Sequence, residues 1–145
     1  MTFMNSPSSK PHWIQFPQLK EIRGSLSFIE FPSHIPFDIK RIYYIYDVPG
    51  GESRGAHAHK DLEQVFIAMS GGFQITLDDG LSYKESFYLT RPDQGLYVPK
   101  GLWRDLGQFT SGAMCLVLAS QIYQKEDYIR DYTDFLAYKK ASGLE

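Results

Sequence analysis

The run Glu63-Gln-Val-Phe-Ile-Ala-Met69, Ser70-Gly71, Gly72-Phe-Gln-Ile-Thr-Leu77, Asp78-Asp-Gly80 decides the fold class. Two apolar stretches of strand length, rich in β-branched and aromatic residues, each end in a turn signal. The Asp-Gly pair tolerates the positive φ angles of tight hairpins, and Ser70-Gly71 reads as a hairpin turn as well. Working outward, Ile39-Lys-Arg-Ile-Tyr-Tyr-Ile-Tyr46 is a further strand, stopped by Pro49-Gly50-Gly51. Ser25-Leu-Ser-Phe-Ile-Glu30 alternates with the period of two of a half-buried strand. Gly95-Leu-Tyr-Val98 and Ala113-Met-Cys-Leu-Val-Leu-Ala119 continue the series. Many short strands with no helix between them predict an all-β sandwich or barrel. Only the last segment differs: Tyr128, Ile129, Tyr132, Phe135 and Leu136 fall at helical spacing, which predicts a short helical segment packed on the barrel.

A chain of 145 residues fits one hydrophobic core. The polar, Pro- and Ser-bearing start predicts a flexible N-terminus over 1–13, followed by a single domain over 14–140 and a tail over 141–145. The 10 Tyr and 10 Phe favour strands and also suit a pocket for a flat or sugar-like ligand. A formal net charge of −2 argues against a dedicated nucleic-acid binder. No stretch approaches the roughly 20 apolar residues that span a bilayer, and Met1-Thr-Phe-Met-Asn-Ser-Pro7 lacks a signal pattern. No membrane association and a cytoplasmic location are the expectations. The single Cys115 excludes an internal disulfide and, lying in an apolar run, reads as a buried thiol.

The chemistry concentrates in Arg54-Gly-Ala-His57-Ala-His59-Lys60. Positions i and i+2 of a strand face one side, so both imidazoles enter one space. Glu63 follows four residues after His59, and two histidines with a carboxylate form a metal-ligand pattern. His12 and His34, in Pro-flanked loops, read as surface residues.

This arrangement resembles the first motif of the cupin superfamily: Gly51, His57-Ala58-His59, Glu63, then Gly71 or Gly72. The second motif ends in a histidine ligand, but Pro99-Lys-Gly101-Leu-Trp-Arg104 places an arginine there. A guanidinium gives no lone pair to a metal and would repel the ion. A metal is therefore disfavoured, and the histidines become acid/base equipment near their ordinary pKa of about 6.5. Such a pair suits proton abstraction beside a carbonyl. Arg54 and Arg104 can then stabilise an oxyanion or hold a phosphate. One of Tyr43 and Tyr44 must face inward, where it could bond a sugar hydroxyl or relay a proton.

Longer blocks carry a narrower resemblance: Lys40-Arg-Ile-Tyr-Tyr-Ile-Tyr-Asp47, Arg54 to Lys60, Leu62-Glu-Gln-Val65, Leu77-Asp-Asp-Gly80, Gly95-Leu-Tyr-Val98, Leu116-Val-Leu-Ala-Ser120 and Asp127-Tyr-Ile-Arg130. Together, over about residues 22–138, they resemble the nucleotide-sugar 3,4-ketoisomerases that act on dTDP-4-keto-6-deoxyglucose. The resemblance implies an all-β, cupin-type jelly-roll β-barrel with a short C-terminal helical segment. It implies an isomerase without metal or other cofactor, working as a homodimer with exchanged N-terminal strands. Its substrate would be a dTDP-linked keto-deoxysugar, and its product a 3-keto sugar for deoxyamino-sugar and surface-polysaccharide biosynthesis. By the same resemblance His57 moves a proton between C3 and C4, and His59 moves protons among the oxygens, with Tyr43 as a third catalytic group. Arg41, Arg54, Lys60, Gln64, Tyr97 and Arg104 are the implied substrate-binding residues. Three rival readings are a metal-dependent cupin enzyme, a nucleotide-sugar 3,5-epimerase and a non-catalytic sugar-binding cupin.

Overall fold

The computed structural model describes residues 10–143. In chain order it contains β1 (His12–Gln15), β2 (Gln18–Glu21), β3 (Gly24–Ser27), β4 (Arg41–Tyr46), β5 (Arg54–His59), β6 (Gln64–Ser70) and β7 (Phe73–Asp78). There follow β8 (Lys84–Leu89), β9 (Gln94–Val98), β10 (Trp103–Gly107), β11 (Met114–Ala119), a 3₁₀ turn Lys125–Asp127, β12 (Tyr128–Ile129) and α1 (Tyr132–Ser142). Two antiparallel five-stranded sheets form the barrel, in the orders β1-β9-β6-β11-β4 and β12-β5-β10-β7-β8. This is the expected all-β architecture. Among the described residues β2 and β3 pair only with each other.

The alternation of side chains decides what lies between the sheets. From the first sheet Phe66, Ala68, Leu96, Val98, Cys115 and Val117 point inward, where they meet Phe73, Ile75, Leu77, Leu89 and Leu106 of the second. The opposite parity of the first sheet, Val65, Ile67, Tyr97 and Leu118, packs outward against Phe16, Ile35 and Phe37. The loop segments at 16 and 35–37 thus cover the first sheet's back, so β6 is buried on both faces. The second sheet's back is covered by α1, whose Phe135 packs on Ala58, Trp103 and Ile129.

Ser25–Glu30 is not a half-buried strand, since β3 ends at Ser27 and is exposed throughout, and two expectations nearer the site need correction. Ser70-Gly71 is no hairpin turn, because β6 has β9 and β11 on its two sides while β7 pairs with β8 and β10. The chain instead turns a corner from one sheet to the other. The corner is pinned by the Gly72 N–H donating to Thr110 Oγ1 (3.0 Å) and the Thr110 N–H donating to Gly72 O (2.9 Å). Gly71 has φ +61°, and a Cβ there would sit 2.6 Å from Thr110 Oγ1 and 2.9 Å from Ala113 Cα. Asp78-Asp-Gly80, by contrast, does close the β7–β8 hairpin, with Asp79 Oδ1 accepting from the Leu81 and Tyr83 amides.

The second correction concerns 127–131, which is not α-helical: Asp127 ends a 3₁₀ turn. Tyr128 and Ile129 pair with His59 and Ala58 as an edge strand, and the helix begins only where Asp131 caps it by accepting from the Asp134 N–H (3.0 Å). Within the segment expected to be a flexible N-terminus, 1–9 lie outside the described residues, while His12 and Trp13 pair with Tyr97 and Leu96. Of the expected tail, Ala141 and Ser142 close the helix.

Candidate active site

β5 delivers the histidines, and a defect in its pairing aims them. Against β10, Arg104 lies opposite His57 and Leu106 lies opposite Arg54, so Gly55 and Ala56 of β5 together oppose the single Asp105 of β10. That is a β-bulge, and Gly55 with φ +77° carries it. In an uninterrupted strand residues 54 and 57 would face opposite sides. The bulge brings both to one cavity of about 260 Å³, lined also by Arg41, Tyr43, Arg104 and Tyr128. A Cβ on residue 55 would meet Leu106 Cδ1 at 3.1 Å.

His57 Nε2 and His59 Nε2 are 3.0 Å apart, with the rings nearly perpendicular. His59 is wholly buried, and its Nδ1 lies 2.8 Å from Asp127 Oδ2. Asp127 Oδ1 accepts from the Asp61 N–H at 2.7 Å. Tyr128 packs against both imidazoles, 5.1 Å from His57 and 4.4 Å from His59 between centroids. Arg130 lies over the Tyr128 ring at 4.2 Å. Burial and then the charge of Arg104 hold both histidines far below their ordinary value, at about 2. Both are neutral at neutral pH, the form able to accept a proton.

Arg104 is almost fully buried and, among the described residues, lacks a carboxylate partner. One of its terminal nitrogens donates to Gln64 Oε1 and the other to Leu102 O (2.9 Å), while Nε has no partner. Burial lowers its pKa to about 10, which leaves it charged at neutral pH. Because Arg104 can only donate, it fixes the Gln64 amide with its oxygen inward. Gln64 Nε2 then donates to the Tyr43 hydroxyl oxygen at 2.8 Å, and the phenolic proton is left to point elsewhere. Burial raises the Tyr43 pKa, with Arg104 and Gln64 opposing, so the phenol is a protonated donor. Tyr43 is the inward tyrosine; Tyr44 is exposed and stacks with Tyr46.

Arg41 shares the inward parity of Tyr43. Its Nη2 donates to the Tyr128 hydroxyl at 3.5 Å, its guanidinium lies 5.1 Å from the Tyr43 ring centroid, and its buried Nε has no partner. Three guanidinium groups thus line the cavity, and among the described residues no acidic one does. The site is built to receive negative charge.

The remaining sequence candidates lie apart. Lys60 is exposed just past the end of β5, with its amide bonded to Asp127 O (3.0 Å). Tyr97 lies on the back of the first sheet and donates to Glu63 Oε1 at 2.6 Å. Glu63 shares the outward parity of Val65, so the two histidines and Glu63 do not converge. The carboxylate beside the pair is Asp127, 68 residues away in the chain. The block Asp127 to Arg130 was legible as part of a resemblance. A helical reading of it, however, hid the strand pairing that brings Asp127 and Tyr128 to the histidines.

The family model for FdtA, described as WxcM-like, C-terminal, matches residues 9–140. A TDP-4-oxo-6-deoxy-α-D-glucose-3,4-oxoisomerase from Aneurinibacillus thermoaerophilus is 45% identical over 132 residues, 91% of this chain and 94% of that protein. The solved structure of a 3,4-ketoisomerase from Helicobacter canadensis superposes with a TM-score of 0.87 at 46% identity, covering 92% of this chain and 99% of that one. A histidine-to-asparagine mutant of the 3,4-ketoisomerase QdtA from Thermoanaerobacterium thermosaccharolyticum, in complex with TDP-4-keto-6-deoxyglucose, superposes with a TM-score of 0.89 at 38% identity, covering 93% and 97%. The matched span takes in every strand and every residue of the histidine cavity, and the chain belongs to the FdtA family.

Proposed function

We propose that the protein is a nucleotide-sugar 3,4-ketoisomerase that converts TDP-4-keto-6-deoxyglucose to the 3-keto isomer. The observation that carries this reading is a neutral histidine pair facing a buried guanidinium with no carboxylate of its own. A neutral imidazole can take the proton from C3. The C–H electron pair then forms the C3=C4 double bond, and the C4 carbonyl electrons move onto its oxygen. Arg104, preorganised and shielded from water, stabilises that oxyanion, and the Tyr43 hydroxyl can supply it a proton. In the second half the O3 proton leaves, C3=O forms, and C4 takes up a proton. No electron acceptor is required, because one carbon is oxidised as its neighbour is reduced.

Arg41 and Arg54 flank the cavity and suit the diphosphate. Lys60 and Tyr97 do not line this cavity, and any substrate contact they make lies outside it. The reading extends to a homodimer with exchanged N-terminal strands. In its support, the unpartnered β2–β3 hairpin exposes Leu19, Ile22 and Leu26, and the sheet edge at β4 exposes Ile42, Tyr44 and Tyr46. A cytoplasmic location belongs to the same proposal. No helix among the described residues is long and apolar enough to cross a membrane.

The test is incubation with TDP-4-keto-6-deoxyglucose in deuterated water, followed by NMR of the product. A 3-keto product is expected, its C4 hydrogen carried over from C3 except where the proton on His57 exchanges with solvent first. Exchange at C5 together with C3 would favour the epimerase reading instead, and saturable binding without conversion would favour a sugar-binding module.

A further inference from the structure

Resting on the ketoisomerase reading, we infer that Asp127 is a positioning residue that fixes the direction of proton flow through the histidine pair. A carboxylate only accepts hydrogen bonds. With Asp127 Oδ2 2.8 Å from His59 Nδ1, that nitrogen carries the hydrogen. In a neutral imidazole Nε2 of His59 is then a bare lone pair. The 3.0 Å contact between the two Nε2 atoms needs one donor, so the hydrogen is on His57 Nε2. His57 Nδ1 is left bare, and His57, not His59, lines the cavity. One carboxylate thereby sets both tautomers and makes His57 Nδ1 the atom that takes the substrate proton.

The same order gives the proton a way onward. When Nδ1 of His57 takes the C3 proton, its Nε2 proton can pass to His59 Nε2. The positive charge then rests on His59 beside Asp127 instead of on His57, which lies directly across the strand ladder from Arg104. Reversal of both transfers as C4 is protonated restores every group. Asp127 is itself held firmly: Oδ1 accepts from the Asp61 N–H, and its carbonyl accepts from the Lys60 N–H at 3.0 Å.

The test is nitrogen-15 NMR of the histidines at neutral pH without substrate, with signals assigned by comparison with His57→Asn. The parent protein is expected to show hydrogen on Nδ1 of His59 and on Nε2 of His57. In Asp127→Asn the amide oxygen can keep the Asp61 N–H, while the amide nitrogen turns a donor toward His59 Nδ1. His59 is then expected to change tautomer, with kcat reduced about 100-fold or more and KM within about 3-fold of the parent. Hydrogen on His59 Nε2 in the parent would overturn the inference. So would a variant that keeps the parent tautomers and the parent kcat. Should Asp127→Asn not fold, the parent spectrum alone decides. A parent enzyme inert toward the keto sugar would sink the ketoisomerase reading, and the tautomers would still decide the role of Asp127.

Discussion

Arg104 lies directly opposite His57 in the β5–β10 ladder, and the side chains of both line one cavity. A permanent cation therefore faces a base that must stay uncharged. Each sets the other's chemistry, and substitutions at the two positions separate their roles.

His57→Asn should abolish conversion while leaving the fold and nucleotide binding largely intact. Asparagine fills similar space and retains a hydrogen-bonding group toward His59, but it cannot accept a proton at neutral pH. Product NMR and nucleotide titration check this. Conversion at the parent rate would remove His57 from the role of base.

Arg104→Gln should lower kcat/KM by about 100- to 1,000-fold, the usual cost of losing one oxyanion donor. It should also raise the histidine pKa values, since Arg104 is the largest electrostatic cause of their depression after burial. The acid limb of the pH–rate profile should then move up toward 6.5. An unmoved limb would mean that burial alone holds the histidines neutral.

In the parent enzyme the acid limb of kcat/KM should lie well below the ordinary histidine value. The groups facing the pair are Arg104, Arg41, Arg130, Tyr43, Tyr128 and Asp127, and of these Asp127 alone bears negative charge. Stability follows the same linkage. Below about pH 6.5 the unfolded chain binds protons that the folded histidines refuse, so stability falls as pH falls, by about 1.4 kcal/mol per pH unit for each group. Urea unfolding between pH 5 and 8, compared with a His57→Asn/His59→Asn variant, isolates their share.

Gly55→Ala should destabilise the protein by about 1–2 kcal/mol, because an L-residue at φ +77° is strained. The new methyl also presses on Leu106 Cδ1. The bulge is what turns Arg54 and His57 to one side, so KM should rise more than kcat falls. Unfolding midpoints and steady-state kinetics read the two effects separately. An unchanged KM would show that Arg54 does not depend on the bulge for its position.

Much of this was legible in the chain because strand periodicity is local. His57, His59 and Arg104 could be placed by parity and motif, Tyr43 only as one of two neighbours until the resemblance chose it, and the strands at 41–46, 64–70, 73–78, 94–98 and 114–119 by composition, whereas β8 and β10 carry no such signal. What escaped depended on pairing between distant segments. Ser70-Gly71 has hairpin chemistry, yet tertiary pairing with β9 and β11 sends β6 and β7 into different sheets. Glu63 has the right spacing for a ligand but the wrong parity, which β6 reverses into the back of its sheet. Asp127 sits in a stretch whose apolar spacing imitates a helix, and only its neighbour's pairing with His59 shows otherwise.

The Arg104–Gln64–Tyr43 chain crosses from one sheet to the other, with Arg41 reaching back to Tyr128. The proton acceptors stand on one wall of the barrel and the phenol donor on the opposite wall. The gap between acid and base is therefore gauged by the thickness of the apolar filling, by residues such as Phe66 and Leu106 that also border the cavity. Side chains that never meet the sugar act as shims, and trimming one would detune the reaction before it loosened the fold.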